Sequence, residues 1–552
     1  MSALRSRVRE STEALAGVFA NPGLRRLELG FAGSSIGSYA YSITLAVYAY
    51  EDGGATAVGI VFAARMGLSA VIAPFAAGLG DRYPRRAVLL ASDLGRTAVV
   101  IAIAVAVSAN SSSLLVYGLA LVLTALGTVF RPTEAALLAH LARSPAELTA
   151  ANVASSTFDS VASFVGPAIS GGVIAIWGMT AAFAFTAGTF LWSASNVARL
   201  PPEPDAAADD EEEEPEGGLA ELAAGFVAVG REPRLRLLIG LWGAQCVVSG
   251  ALGVLIVATA LTELKIGTAG VGLLEALSGV GSILGAALML GLVGRGKLAT
   301  DFGLGLVLWG APLALVGIAP VAAVAFVVWP FIGLGNTMVD IAGITLLQRS
   351  APENVIARVF GVLEASTVGG FAAGFLIAPA LIGAIGIRGA LIVVGAVLPV
   401  LTVISWARLS QIDEGARVPE ERLAALRTVP FLRALPLHTM EYLAERLEPV
   451  DLAAGDYLFR AGDSGDRFYI LETGSVAIEL PEGEKVEQAP AYVGEIAILR
   501  DVPRTASVRG ASDSVLLALE RHDFLTAVGG HARSRAGAEE VVGSRLPAAT
   551  TG

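Results

Sequence analysis

The stretch Gly78-Leu79-Gly80-Asp81-Arg82-Tyr83-Pro84-Arg85-Arg86 decides the fold of this chain. It separates two apolar runs, residues 57–77 and 87–109, and each is close to the ~20 residues that a helix needs to cross a bilayer. A short basic turn between two such runs belongs on the cytoplasmic side of a membrane. Its glycines allow close helix packing, and Asp81 can pair with an arginine or cap the next helix. From this copy alone, an ordinary basic cytoplasmic loop remains an alternative.

A related pattern recurs later in the chain. Sliding the sequence by 213 residues places Gly59 on Gly272 and the segment 78–82 on the segment 291–295. The matched spacing predicts two related membrane halves. Because Gly294 stands where the first copy has its acid, we expect only the first copy to act as an electrostatic latch.

Composition indicates a multi-span membrane protein with a soluble part. Of 552 residues, 54% are hydrophobic and 16% are charged, and the mean hydropathy is +0.67. The net charge of −12, without a basic patch interleaved with aromatic residues, argues against a nucleic-acid partner. The single cysteine, Cys246, excludes an intrachain disulfide framework and a cysteine-rich metal site. We expect no metal or other cofactor and no enzymatic activity. Scarce lysine beside abundant arginine and alanine indicates a bacterial source.

Hydropathy predicts an all-α membrane bundle of about twelve transmembrane helices in two pseudo-symmetric halves. The expected spans lie near 27–50, 57–79, 87–109, 114–141, 152–176, 179–199, 235–262, 269–293, 301–319, 321–347, 358–384 and 388–408. Arginine and lysine concentrate in alternate connections, and the other connections carry only Lys265 and Arg388. The positive-inside rule predicts that both termini lie in the cytoplasm. We therefore expect a multi-pass protein of the inner (cytoplasmic) membrane.

Changes of composition predict the domain boundaries. Beyond residue 409, Gly/Asp turns and short alternating patterns replace the long apolar runs, which predicts a C-terminal α+β domain with a β-roll. The expected parts are a cytoplasmic N-terminal helix (1–26), a first membrane half (27–200), an acidic cytoplasmic linker with an amphipathic helix (201–233), a second membrane half (234–409), a linker (410–422) and the C-terminal domain (423–546).

The loop at residues 78–86 resembles the segment between helices 2 and 3 of the major facilitator superfamily. Over residues 1–410 the chain is also similar to the exporter branch of siderophore and macrolide efflux proteins. The further stretches that carry this resemblance are Phe130–Thr133, Leu148, Asn152, Val165–Pro167, Leu347–Arg349 and Arg358–Phe360, with Asp93 and Arg96 in span 3. The resemblance implies alternating access around a central cavity, driven by an ion gradient. One departure is Ser38 after Gly37, where such exporters often carry an acid.

Ionisable residues at membrane depth are costly and usually face a cavity or a partner. The candidates are Arg65, Arg131, Glu134, Asp159, Glu275, Asp340 and Glu364. Aligning the ends of spans 4 and 10 places Arg131 opposite Asp340, which predicts an inter-half pair or a proton site. A purely structural ion pair is an equal alternative. The candidate transport and gating residues are Gly78, Asp81, Arg82, Arg85, Arg86, Asp93, Arg96, Arg131 and Asp340.

The C-terminal domain carries a readable anion site. Gly494 opens a short helix whose N–H groups suit a phosphate, and Arg504 offers an oxyanion a planar two-point contact. Glu495 can accept a hydrogen bond from a ribose hydroxyl. The pattern strongly resembles the cyclic-nucleotide-binding domain over about 425–545, and a β-roll that binds nothing is the alternative. The candidate binding residues are Gly494, Glu495, Ile496, Ala497, Arg504, Thr505 and Ala506.

Together these features predict a secondary active transporter that exports a small molecule by proton antiport under cyclic-nucleotide control. The regulatory ligand is cAMP or cGMP, because Thr505 leaves the base open, and cAMP is favoured. The expected partners are a small-molecule substrate, protons, the cyclic nucleotide and the lipid bilayer. The alternative is a non-transporting receptor whose membrane bundle only anchors the nucleotide sensor.

Overall fold

The computed structural model describes residues 18–200, 218–292, 297–351, 355–415, 420–435, 437–480, 483–529 and 532–545. The chain divides into two compact units, Met1–Asp413 and Glu414–Gly552. Most of the predicted N-terminal helix, the acidic run 201–217, and Gly294 with its neighbours lie outside the described residues.

The first unit is helical. Its described helices are α1 (Pro22–Arg82), α2 (Arg85–Ser108), α3 (Ser113–Thr128), α4 (Phe130–Leu141), α5 (Pro145–Val197), α6 (Gly218–Arg231), α7 (Pro233–Ala258), α8 (Gly267–Leu292), α9 (Leu298–Ile318), α10 (Ala322–Ser350) and α11 (Ile356–Gly415). A π-helical turn, Thr259–Glu263, extends α7. If α3 and α4 are taken together, the described residues contain 9 helices that are long and apolar enough to cross a membrane. Helices suit a bilayer because their backbone groups bond internally where water is absent.

Three of these helices are too long for one crossing, and each contains a glycine with non-helical geometry. The breaks are at Gly53 and Gly54 in α1, at Gly178 in α5 and at Gly386 in α11. The φ angles are 62° at Gly54, 80° at Gly178 and 73° at Gly386. Glycine adopts such positive angles without a steric penalty, so it supplies the turns. All three breaks fall in connections that the sequence predicts.

The two membrane halves meet at close contacts made by glycine. A Cβ atom on Gly59 would lie 2.6 Å from Cγ of Pro379, so a side chain has no room there. A Cβ atom on Gly272 would clash with the carbonyl oxygen of Pro167 and lie 3.1 Å from Cα of Gly171. The sequence repeat that aligns Gly59 with Gly272 also brings Pro167 within one residue of Pro379. The two halves therefore contact each other through equivalent positions, and small residues there allow close helix packing.

The second unit combines two antiparallel sheets with short helices. Its strands are β1 (Glu448–Leu452), β2 (Tyr457–Phe459), β3 (Arg467–Thr473), β4 (Ser475–Leu480), β5 (Gly483–Gln488), β6 (Ala491–Val493), β7 (Ser507–Gly510) and β8 (Ser514–Glu520). The strand orders are β1-β8-β3-β6 and β2-β7-β4-β5. The helices are α12 (Glu420–Thr428), a 3-10 turn (Leu432–Ala434), α13 (Leu437–Arg446), α14 (Glu495–Arg500), α15 (Arg521–Gly529) and α16 (Ala532–Arg545).

Alternating side chains of this unit form two apolar layers. Tyr469 and Leu471 on β3 pack with Leu516 between the two sheets. Phe468, on the opposite face of β3, packs on Phe524 of α15 with ring centroids 4.7 Å apart. A strand with both faces buried needs covering on each side, and here the second sheet and the helices provide it. This confirms the predicted mixed α and β domain.

Candidate functional site

Asp93 and Arg96 form a buried ion pair inside the first membrane half. Their side chains, one helical turn apart on α2, are 0% and 4% exposed, and Nη2 of Arg96 bonds Oδ1 of Asp93. The same Nη2 donates to Oγ of Ser34 on α1 at 2.8 Å. Oγ of Ser193 on α5 donates to Oδ2 of Asp93 at 2.6 Å. The pair therefore ties three helices together by hydrogen bonds.

Two aromatic rings complete the surroundings of Arg96. Its Cζ lies 4.5 Å from the ring centroid of Phe130 on α4 and 4.4 Å from that of Phe190 on α5. A guanidinium between two ring faces is stabilised by cation–π attraction. Because the Arg96 side chain is almost completely buried, its positive charge is stabilised by Asp93 and the two rings instead of by water.

The basic residues near the predicted cytoplasmic loop bind the end of α5. Nη2 of Arg86 donates to the carbonyl oxygen of Ala198 at 2.5 Å, and Nη1 of Arg26 donates to that of Arg199. The last carbonyls of a helix have no partner within the helix and carry partial negative charge, which arginine neutralises. Arg85 is half-buried beside them.

The predicted latch itself is only partly described. The backbone of α1 continues through Arg82. The side chains of Gly78–Arg82 lie outside the described residues, so the pairing of Asp81 and Arg82 stays a prediction.

Arg131 pairs with Asp159, and the predicted pair with Asp340 is not formed in the described residues. Nη2 of Arg131 lies 2.6 Å from Oδ2 of Asp159, and the hydroxyl of Tyr39 donates to the same oxygen at 3.4 Å. The reason is proximity within one half, because α5 brings Asp159 next to α4. Equivalent depth in two repeats does not bring side chains into contact.

Asp340 belongs to a polar network within the second half. Oδ2 of Asp340 accepts from Nδ2 of Asn336 at 2.9 Å. Oδ1 of Asn336 accepts from Nε2 of Gln245 on α7 and from Nε1 of Trp309 on α9, both at 3.1 Å. Our sequence reasoning missed Asn336 and Gln245. Their amides within apolar spans were the available signal, because polar groups at membrane depth need partners.

Asp413 is a second site that sequence reasoning missed. It is buried near the end of α11 and caps the N-terminus of α9. Oδ1 accepts from the N–H of Ala299 at 2.8 Å, while Oδ2 accepts from the N–H and the hydroxyl of Thr300 at 2.9 and 2.6 Å. A carboxylate at a helix N-terminus satisfies free N–H groups and complements the helix dipole. Sequence spacing gives no signal for it, because the partners are more than 100 residues apart.

In the second unit, Gly494 places α14 beside the predicted phosphate anchor. Its φ of 91° is left-handed, and a Cβ atom there would lie 2.5 Å from Nη1 of Arg504. Glycine is therefore required for both backbone conformation and space. The turn brings Gly494 and Arg504 into hydrogen-bond contact, although nine residues separate them in sequence.

Arg504 is held by backbone and carboxylate oxygens. It is only 3% exposed. Nη1 donates to the carbonyl oxygen of Gly494 at 3.0 Å, and Nη2 donates to that of Arg467 at 2.7 Å. Nη2 also lies 3.5 Å from Oδ1 of Asp466, which is largely exposed. These contacts orient the guanidinium before any ligand binds.

Aromatic packing isolates this guanidinium from water. Its Cζ lies 4.2 Å from the ring centroid of Phe459 and 5.8 Å from that of Tyr469. Burial lowers the pKa of Arg504 from its usual value, yet an arginine remains ionised. Within the described residues, the buried Nε has no hydrogen-bond partner. The site thus holds a positive charge with one unused donor, which fits an anionic ligand.

The other predicted nucleotide-site residues differ in exposure. Glu495 and Ala497 are buried, and Ile496 and Ala506 are half-buried. Thr505 is exposed, so its hydroxyl is accessible to solvent. A Cβ atom on Gly465 would lie 2.7 Å from Cβ of Ala497, so the loop before β3 packs tightly on α14. The roles of these residues in binding stay predictions.

Comparison with protein families identifies both units. Residues 27–363 match the model of the Major Facilitator Superfamily. The chain belongs to the major facilitator superfamily. Residues 449–531 match the model of the cyclic nucleotide-binding domain. The superfamily transporter is therefore fused to a C-terminal domain of that family, and its apolar helices make it a multi-pass membrane protein.

Solved structures show the same membrane fold. A POT family transporter in complex with a thioalcohol-conjugated peptide matches 71% of this chain and 96% of its own, with a TM-score of 0.56 and 14% identity. A POT family transporter with 5-aminolevulinic acid matches equally large shares, with a TM-score of 0.57 and 14% identity. At this identity the likeness shows the fold alone.

Two curated relatives match a segment of about 110 residues of this chain. The cAMP-dependent protein kinase regulatory subunit of Emericella nidulans is 35% identical over 109 residues, which are 19% of this chain and 26% of that protein. The corresponding subunit of Dictyostelium discoideum is 37% identical over 108 residues, 18% of this chain and 33% of its own. The chain thus spans a third or less of the length of these relatives. The superfamily membership confirms the predicted family, while the siderophore and macrolide exporter branch stays a prediction.

Proposed function

We propose that this member of the major facilitator superfamily is a proton-coupled exporter of a small molecule, regulated by cAMP. The observation that carries the proposal is an oriented, buried Arg504 on the same chain as a transporter bundle. We place the transporter in the cytoplasmic membrane, with its nucleotide domain in the cytoplasm.

The form of the bundle supports transport. Counting each glycine-broken helix among the nine described long helices as two spans gives twelve crossings, which supports the proposal that both termini lie on one side. The predominance of arginine in alternate connections supports a cytoplasmic location for that side. Gly59 and Gly272 make close contacts at equivalent positions of the two halves, which suits halves that rock against each other.

Support for cAMP comes from the second unit. Arg504 offers a desolvated cation to a cyclic phosphate, and Glu495 is placed on the helix that begins beside it. The relatives of this domain are named as regulatory subunits of cAMP-dependent protein kinases. We therefore favour cAMP over cGMP as the ligand.

The direct test uses the full chain in proteoliposomes that contain a pH-sensitive dye. Cationic dyes, macrolides and iron chelators are applied as a panel, with and without cAMP or cGMP on the side of the nucleotide domain. We expect at least one compound to move protons, and cAMP to change that rate several-fold. Nucleotide binding without proton flux for any compound would instead support a membrane-anchored receptor.

A change at Asp413 should separate nucleotide binding from regulation. Asp413 is the last residue of the transporter unit, and the chain continues from it into the second unit. Asp413 caps the N-terminus of α9, so we propose that a ligand-induced change in the linker is transmitted to α9 through this side chain. We expect Asp413→Ala to weaken the cap by about 1 kcal/mol and to abolish the effect of cAMP on flux, while calorimetry shows unchanged cAMP affinity.

Ser410→Ala provides the matched control on the same helix. In the part of the chain that the structure describes, its hydroxyl donates to the carbonyl oxygen of Trp406 within α11, so cAMP regulation should remain. A normal cAMP response in the Asp413 variant would show that regulation takes another route.

A further inference from the structure

Two buried carboxyl groups in the first membrane half share one serine hydroxyl. Glu28 on α1 is 0% exposed and Glu134 on α4 is 4% exposed. Oγ of Ser155 on α5 lies 2.8 Å from Oε1 of Glu28 and 3.4 Å from Oε1 of Glu134. The second oxygen of Glu28, Oε2, is buried and has no hydrogen-bond partner within the described residues. Glu134 was among the predicted ionisable residues at membrane depth, Glu28 was not, and neither acid was among the candidate transport and gating residues.

The surroundings of these acids are apolar. Leu27 and Phe31 flank Glu28 on α1, Phe130 and Leu137 flank Glu134 on α4, and all four belong to one buried cluster. An ionised carboxylate in such surroundings costs several kcal/mol unless it is paired. The site therefore strongly disfavours two negative charges.

No neighbouring charged group in the described residues forms an ion pair with either acid, although Arg131 is close enough to attract Glu134. The charged groups on the adjoining helices bond elsewhere: Arg131 with Asp159, Arg96 with Asp93, and Arg26 with the carbonyl oxygen of Arg199. Tyr39 donates to Asp159, and Arg25 and His140 are exposed.

Hydrogen-bond counting gives the number of protons. A serine hydroxyl has one proton and can donate to only one carboxylate at a time. If both acids are ionised, one buried carboxylate lacks this donor. If one is protonated, its O–H can donate to Oγ of Ser155, whose own O–H donates to the other acid. One proton therefore allows both acids to hydrogen-bond to Ser155 at the same time.

We propose that Glu28 and Glu134 bind one exchangeable proton through Ser155, and that this is a proton site of the first half. Its use in transport rests on the proposed proton-coupled function, but its occurrence does not. Release of the proton to water leaves two carboxylates and no bond between heavy atoms changes. The newly formed carboxylate of Glu134 then competes with Asp159 for Arg131.

The ion pair between Arg131 and Asp159 is close enough to respond to ionisation of Glu134. Arg131 precedes Glu134 by three residues on α4, and Asp159 follows Ser155 by four on α5, so each lies one helical turn away on the same face. Ionisation of Glu134 attracts Arg131 away from Asp159. Proton release would thereby change the contact between α4 and α5.

Infrared difference spectroscopy on the full chain in lipid nanodiscs tests the proposal. Spectra are recorded between acidic and alkaline buffer, with glutamate labelled at its side-chain carboxyl carbon. We expect a carbonyl band of a buried protonated glutamate that disappears as the pH rises. The Glu28→Gln, Glu134→Gln double variant should lose this band, and each single variant should shift the pH at which it disappears.

Two further variants keep the test decisive. Glu51→Gln removes an exposed acid from α1 and should leave the band unchanged. Ser155→Ala keeps both acids, so it should shift the transition even if the double variant does not fold. No titrating band in the wild type, or a band unchanged by the Glu28, Glu134 and Ser155 substitutions, would overturn the proposal. If the band is present but no proton-coupled flux is found, the proton site stands and the proposed transport function is refuted. If flux is found without the band, the transport function stands and the proton site is refuted.

Discussion

Arg504→Ala should reduce the affinity for cAMP by at least ~100-fold, which corresponds to about 3 kcal/mol. The substitution leaves the cyclic phosphate in a desolvated site without its cation, and an unpaired buried charge is costly. The carbonyl groups of Gly494 and Arg467, which now accept from the guanidinium, would also face the phosphate without a donor between them. Calorimetry with the full chain in nanodiscs measures the loss directly.

Arg509→Ala is the matched control for this change. Arg509 lies on β7 close to Arg504 in sequence, but it is more exposed and forms ion pairs with Glu479 on β4 and Glu484 on β5. We expect it to keep cAMP affinity within a few-fold, because exposed ion pairs contribute little. Near-normal binding by the Arg504 variant would place the phosphate elsewhere.

Asp93→Ala should severely reduce the amount of folded membrane protein. It leaves the buried Arg96 cation without its carboxylate, which costs roughly 3–5 kcal/mol in comparable buried pairs. The remaining contacts, Ser34 and two rings, lack a negative charge. The midpoint of thermal unfolding and the monodisperse fraction in detergent report the effect.

The double variant Asp93→Asn, Arg96→Met distinguishes a charge effect from loss of packing. It removes both charges and keeps much of the volume, so it should recover more folded protein than either single change. Arg388→Gln is the control, because its ion pair with Glu263 leaves the arginine 63% exposed and should matter little. Equal yields from Asp93→Ala and Arg388→Gln would show that the buried pair is dispensable.

The sequence by itself determined the class of both units. Apolar runs of bilayer length specify helices, because unpaired backbone groups cannot be left in lipid. The span ends predicted from hydropathy coincide with the helix breaks at Gly54, Gly178 and Gly386, where a positive φ favours glycine. The candidate nucleotide site could be predicted because Gly494 and Arg504 are only ten residues apart, so one local turn brings them together.

Only the tertiary structure decided which charged groups pair. Arg131 pairs with Asp159 instead of Asp340 because packing of α4 on α5 sets the distance between the side chains. The same holds for the Asp413 cap and for the hydroxyl of Ser155, which bonds a glutamate more than 100 residues away. Hydropathy depends on each residue's own transfer between water and lipid, so it can be read along the chain. An ion pair or hydrogen bond depends on separations of about 3 Å between distant segments, and only packing sets those distances.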